Sequence, residues 1–230
     1  MLKNVIKNVV AESIRQDSRH LLRQFKKLSS NTYHQLVHSH RLRKAISQCE
    51  DCRINFGCGD LVRPGWINID ASGRPGTYYY DLRNEFPISS EQISHINAEH
   101  FLEHLEFYHA LRFLKECFRV LKPNGTFRII VPDAEKYMLA YAKDDKSFYE
   151  PLVNLGGTPI AMRTKTEIVN TMFRMSGSHL FAWDFETLSL HLNEAGFKNI
   201  CRSKYRQGEN NIDGDDWWRP HESLYVVAEK

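Results

Sequence analysis

Residues 53–72 read RINFGCGDLVRPGWINIDAS. The apolar run RINF ends at Gly57. Gly57 and Gly59 flank Cys58 in a turn, and a second apolar run, WINID, ends on Asp70. Two glycines directly after a strand let a ligand approach the backbone closely, because no Cβ intervenes. An acid about a dozen residues on, at the tip of the next strand, then stands beside that turn.

The pattern continues outward from this stretch. TYYYD has aromatic strand character and ends at Asp81, and QISHINA reads as a strand before Glu99 and His100. Residues 106–121 predict a helix with Phe107, Leu111, Leu114, Phe118 and Leu121 on its apolar stripe, stopped by KPNG. TFRIIV reads as a buried strand, followed by a helix over 134–143 and an irregular stretch over about 147–180. Asp184 caps a helix whose stripe is Phe185, Leu188, Leu192 and Ala195, with Gly196 at its C-terminal end. Two strands, about 197–205 and 223–229, close the chain without a helix between them.

Strands alternating with helices predict an α/β fold. The expectation is a Rossmann-like, doubly wound, mostly parallel seven-stranded sheet whose last strand is antiparallel, with an N-terminal helical appendage. The division expected is a basic helical extension over 1–48 and a main domain over 49–230. Ligands in such sheets lie beyond the carboxyl ends of the strands. That rule gathers Gly57, Gly59, Asp70, Asp81, Glu99, His100, Asp133 and the loop 206–221 on one rim.

The chain has 230 residues, five cysteines and a net charge of +3. No run reaches the roughly 18 apolar residues of a membrane span. Lys3, Lys7 and Glu12 interrupt the start, so a secretory leader is not expected, and the odd cysteine count fits reduced thiols in the cytoplasm. The first 48 residues carry ten Lys or Arg against two acids. Three readings of residues 1–45 stay open: an amphipathic cap on the domain, peripheral contact with an anionic membrane, or, least favoured, nucleic acid. Cys49, Cys52 and Cys58 lack a fourth ligand, and His34, His38 and His40 form no clear set, so no metal is expected.

NFGCGD lacks the Lys and Ser/Thr of a phosphate-binding loop and the third glycine of the dinucleotide fingerprint. Turn amides suit a carboxylate, Asp70 suits ribose hydroxyls, and Asp81 suits an adenine amino group. Those three together describe S-adenosylmethionine better than NAD.

The ordered blocks INFGCGD, INID, YYYDLRNEFP, AEHFLEHL, LKPNGTFRIIVPD and LNEAGF, with RPHESLYVVAEK at the end, resemble the class I S-adenosylmethionine-dependent methyltransferases. Within these they resemble the small bacterial-type group with an EHL segment after strand four, over about residues 53–230. The resemblance implies that Asn55, Gly57 and Gly59 form the first cofactor motif. It places Asp70 on the ribose, Asp81 and Leu82 at the adenine, and Glu99 and His100 beside the methyl group. Asn55 has a second reading, holding the turn. The chain departs from the class in its short connections: DLVRPG leaves no room for the usual helix between strands one and two, and the second connection, ASGRPG, is equally short.

Methyl transfer needs alignment, and a base only where the acceptor loses a proton. The candidates for that base are His100, Glu99, Asp133 and His179, with His100 first and His179 the other histidine. Substrate-side candidates are Asp133, which alternatively caps the helix after it, Arg163 in a lid-like stretch, and Trp217, Trp218 and Arg219 in the last loop. By analogy the expected acceptor is a sugar or sugar-lipid hydroxyl of a glycan or surface-polysaccharide pathway. The alternatives are a small-molecule carboxyl or amine, RNA, an NAD(P) reductase, or a cofactor-binding regulator without catalysis.

Overall fold

The computed structural model describes residues 37–154, 163–205 and 219–230. Trp217, Trp218 and most of the basic N-terminal segment lie outside the described residues. Seven strands form one sheet: β1 (Arg53–Phe56), β2 (Ile67–Asp70), β3 (Tyr78–Tyr79), β4 (Ile93–Glu99), β5 (Leu121–Pro132), β6 (Lys198–Arg202) and β7 (Ser223–Glu229). Their order is β3-β2-β1-β4-β5-β7-β6. The first five pair in parallel, and β7 runs antiparallel between β5 and β6. The fold is the expected Rossmann-like arrangement.

The helices are α1 (residues 37–47), α2 (Phe107–Val120), α3 (Ala134–Lys143), α4 (Lys146–Asn154), α5 (Lys165–Arg174), α6 (Phe185–Ala195) and the short α7 (Arg219–Glu222). α2 buries Ala110, Phe113, Leu114, Cys117 and Val120. The buried face is therefore rotated from the expected stripe. Phe107 and Phe118 flank it, meeting Phe181 at 4.7 Å and Phe197 at 5.3 Å between ring centroids. Leu121 already belongs to β5, and KPNG lies within that strand.

α6 follows its sequence signals: the Asp184 side chain accepts from Thr187 N, and Gly196 adopts φ +111° at the C-cap. The stretch expected to be irregular instead holds α4 and α5. Pro151 lies inside α4 and disguised it. The start of α5 is a capping box of Thr164 and Glu167. α3, α4 and α5 share a small core of Tyr137, Tyr149, Leu152, Ile168 and Met172 beside the main one.

α1 is seated on the sheet. Leu42 and Ile46 join the main hydrophobic core, and His38 Nδ1 accepts from Tyr79 N at 3.1 Å on the edge strand. Among the described residues, no helix is long and apolar enough to cross a membrane.

Candidate active site

The tips of β1 and β2 are bound to each other. Gly57 N donates to Ile69 O at 2.9 Å. Asp70 holds the turn: its Oδ2 accepts from Gly59 N at 3.0 Å and its Oδ1 from Ser72 N at 2.7 Å. The sequence expected bare turn amides to face a ligand. Those of Gly57, Cys58, Gly59 and Leu61 bond within the chain instead, because the parallel ladder and Asp70 reach them first.

Gly59 nevertheless offers open space. It has φ +49°, and a Cβ there would meet nothing within 4 Å. Gly57, at φ +60°, differs: a Cβ there would run into the ring of Phe101, just beyond β4. One glycine lets β4 close on the turn, and the other leaves the rim bare.

Asn55 is 2% exposed and holds the turn. Its Nδ2 donates to Leu61 O at 2.8 Å and to Asn68 Oδ1 at 3.1 Å, and its Oδ1 accepts from Asn97 Nδ2 at 3.0 Å. Asn97 Oδ1 in turn accepts from Arg128 Nη1 at 3.1 Å. Asn68, Asn55, Asn97 and Arg128 are register partners on adjacent strands β2, β1, β4 and β5, so they form a buried polar row across the sheet. The sequence signal for this row is the dipeptide Ile-Asn, which recurs at 54–55, 67–68 and 96–97.

Arg63 is a second residue that sequence reasoning missed. It comes from the shortened β1–β2 connection, is 5% exposed, and its Nη2 lies 3.0 Å from Glu99 Oε2. The connection thus anchors to the tip of β4 by a buried ion pair. Asp81, after β3, accepts from Arg83 Nε at 2.9 Å and from Arg83 Nη2 at 2.6 Å. Those hydrogen bonds hold its carboxyl below the usual range. Leu82 beside it is buried.

His100 directly follows β4, in the left-handed region at φ +46°. The ring is held from both sides: Nε2 lies 2.8 Å from Ser223 Oγ on β7, and Nδ1 lies 3.3 Å from Glu103 Oε1. Glu103 is fully enclosed. Burial opposes its ionisation, but His100 and the charge of His104 outweigh burial and keep its pKa low. His179 meets this group from the segment after α5, its ring 4.9 Å from that of His104. Burial lowers the His179 pKa. The structure therefore brings together His100, Glu103, His104 and His179, which the sequence separates.

Asp133 is buried at the end of β5. It caps α3 by accepting from Glu135 N at 3.2 Å, and burial raises its pKa against the pull of Lys136 and Arg202. It also borders a cavity of about 330 Å³, with Lys136, Arg202, Lys204, Tyr205 and Ser223. Ser223 joins this cavity to His100. Arg219 opens α7 on the same side. Arg163 stands exposed ahead of α5, where its backbone N donates to Glu167 Oε2 at 2.6 Å.

The chain was compared with known proteins. Residues 77–129 match a family model described as a methyltransferase domain. No curated protein matches by sequence. Solved structures of similar shape include an S-adenosylmethionine-dependent methyltransferase from Archaeoglobus fulgidus: 16% identity, 86% of this chain, 94% of that chain, TM-score 0.49. A possible histamine N-methyltransferase from Thermotoga maritima matches at 16% identity over 87% of this chain and 96% of that one, TM-score 0.47.

Proposed function

We propose that this chain, a methyltransferase using S-adenosylmethionine, methylates a hydroxyl of a sugar or sugar-linked lipid. The enzyme class and cofactor rest on the methyltransferase-domain match together with the strand order and its one reversed strand. The remainder is our reading of the rim.

The rim fits the cofactor in two respects. Gly59 leaves open space at the turn, and the Asp70 oxygens, each already accepting one backbone N–H, keep further lone pairs for ribose hydroxyls. Asp70 would hold the ribose, and Asp81 and Leu82 would border the adenine. When bound, S-adenosylmethionine supplies a methyl group on a positively charged sulfur, a good leaving group. The chain's part is to orient the acceptor and receive its proton. Ser223 borders the cavity and its Oγ lies 2.8 Å from His100 Nε2, so we read Ser223 as the path by which the hydroxyl proton reaches His100, with Glu103 holding the ring from its other side.

The observation that carries the acceptor reading is the cavity lining. Three cations, Lys136, Arg202 and Lys204, face one carboxylate, Asp133, beside Tyr205 and Tyr225. That lining suits a sugar bearing phosphate or diphosphate more than a free amine. The basic segment 1–45 would bring such a domain to an anionic membrane carrying lipid-linked acceptors. The test is a screen with labelled methyl donor against nucleotide-sugars, lipid-linked sugars, small acids, amines and RNA. Label in a sugar hydroxyl, lost in His100→Ala while cofactor affinity holds, is expected. Label transferred only to an amine, a carboxyl or RNA would overturn the acceptor assignment.

A further inference from the structure

Glu103, His104 and His179 each present one ligand atom, and the three atoms lie within 4.8 Å of one another. Glu103 and His104 sit in the 3-10 turn Leu102–His104 that follows β4. His179 follows α5. The two segments are stitched by backbone, since Leu180 N and Phe181 N both donate to Glu103 O at 2.8 and 3.3 Å. The positions of the three side chains are therefore set by the fold.

The hydrogen bonds around the cluster leave metal-binding atoms available. His104 Nδ1 lies 2.9 Å from Ser178 O, and His179 Nδ1 lies 2.5 Å from Met172 O. A carbonyl only accepts, so Nδ1 carries the proton in each neutral ring and Nε2 keeps its lone pair. Outer carbonyls set the tautomer of metal-ligating imidazoles in this way.

Glu103 supplies the independent observation. It is 2% exposed, and its Oε2 has no hydrogen-bond partner. Its Oε1 has one close polar contact, His100 Nδ1 at 3.3 Å. A buried carboxylate with so few partners is unfavourable unless a cation compensates it. An ion has a way in through His104, the accessible member of the three.

We infer that Glu103, His104 and His179 form a binding site for a divalent transition-metal ion. Two imidazoles and a carboxylate suit zinc, cobalt, iron or manganese better than calcium, which prefers all-oxygen shells. Three protein ligands leave at least one position for water or a substrate oxygen. The inference goes beyond the methyl-transfer reading and does not depend on it: a metal site here would stand even if the acceptor assignment failed.

The test uses the full-length chain, stripped with a chelator, desalted, and titrated separately with ZnCl2 and MnCl2 by calorimetry, with metal content read by mass spectrometry. CoCl2 titration adds a visible absorption band that reports the ligand set. About one equivalent of at least one of these ions is expected. It should raise the melting temperature of the wild type, and His104→Ala should weaken binding at least tenfold. His104 is accessible, so that variant is the one expected to stay folded. Glu103→Gln is the second variant, compared after circular dichroism confirms its fold, and should lose the ion likewise. Wild-type protein that binds none of the three ions would overturn the inference. So would His104→Ala binding with unchanged stoichiometry and affinity, which would put the ion elsewhere, for instance on Cys49 and Cys52.

Discussion

Single residues at the turn divide the labour between fold and ligand. Gly57 and Gly59 both have positive φ, but only Gly57 has a neighbour where its Cβ would be. Gly57→Ala should therefore lower stability by about 1–3 kcal/mol, from backbone strain and displacement of Phe101. Gly59→Ala should cost less stability and instead reduce cofactor affinity. Denaturant titration and calorimetry on the two variants separate these effects; equal losses of stability would show that both glycines are purely structural. Arg63 belongs to the same scale. Removing one partner of a buried ion pair leaves the other uncompensated, so Arg63→Ala should destabilise by about 3–5 kcal/mol. Arg63→Met with Glu99→Gln should recover most of that loss in chemical denaturation. A single variant within 1 kcal/mol of wild type, an approximate threshold set against that range, would show that the pair does not hold the short β1–β2 connection.

Whole elements show where local signals suffice and where packing decides. α6 could be read from its caps, Asp184 and Gly196, because capping is chemistry between near neighbours. The face of α2 could not. Ala110 and Cys117 are small and Phe113 lay off the expected stripe, yet these residues meet the sheet while larger Phe107 and Phe118 flank it. Asp70 and the glycine turn were legible because an acid and two glycines at strand ends are short-range features. Arg63, the Asn68–Asn55–Asn97–Arg128 row and the Glu103–His104–His179 cluster depend on pairing between distant segments, which only the sheet order supplies.

α2 also secures the loop before β4. Glu116 Oε2 accepts from Phe86 N at 2.7 Å, and Arg119 donates to Ile88 O at 2.7 Å and Phe86 O at 3.1 Å. Burial works against Glu116 ionisation, but the hydrogen bonds from Arg119 and Phe86 and the charges of Arg119 and Arg112 outweigh it and lower its pKa. A carboxylate depressed in the folded state adds stability above its unfolded pKa, and that stability is lost as pH falls through the folded value. Glu116→Gln should thus destabilise by roughly 1–2 kcal/mol at pH 7. The difference from wild type should shrink as pH drops below about 4. A gap in denaturation free energy that stays constant from pH 7 to pH 3 would contradict this account of the loop.

At the scale of the molecule, α1 links the basic N-terminal segment to the catalytic sheet. Leu42 and Ile46 lie in the main core, so α1 belongs to the domain and not to an extension of it. Removal of residues 1–36 should leave the melting temperature nearly unchanged. Removal of 1–47 should cost several kcal/mol, since each buried aliphatic side chain lost typically costs about 2–5 kcal/mol. Equal stability of the two truncations would mean that α1 contributes nothing to the core.

We propose that the tips of β1, β2 and β3 shape a single nucleoside site on a sheet with one reversed strand. Calorimetry of S-adenosylhomocysteine with the full-length chain and with Asp70→Ala, alongside NADH, tests it most directly. The expected result is one equivalent bound by the wild type, a loss of at least ~1.5 kcal/mol in Asp70→Ala, the scale of a hydrogen bond to a charged group, and no heat from NADH. Tight NADH binding without S-adenosylhomocysteine binding, or an Asp70→Ala affinity equal to wild type, would contradict it.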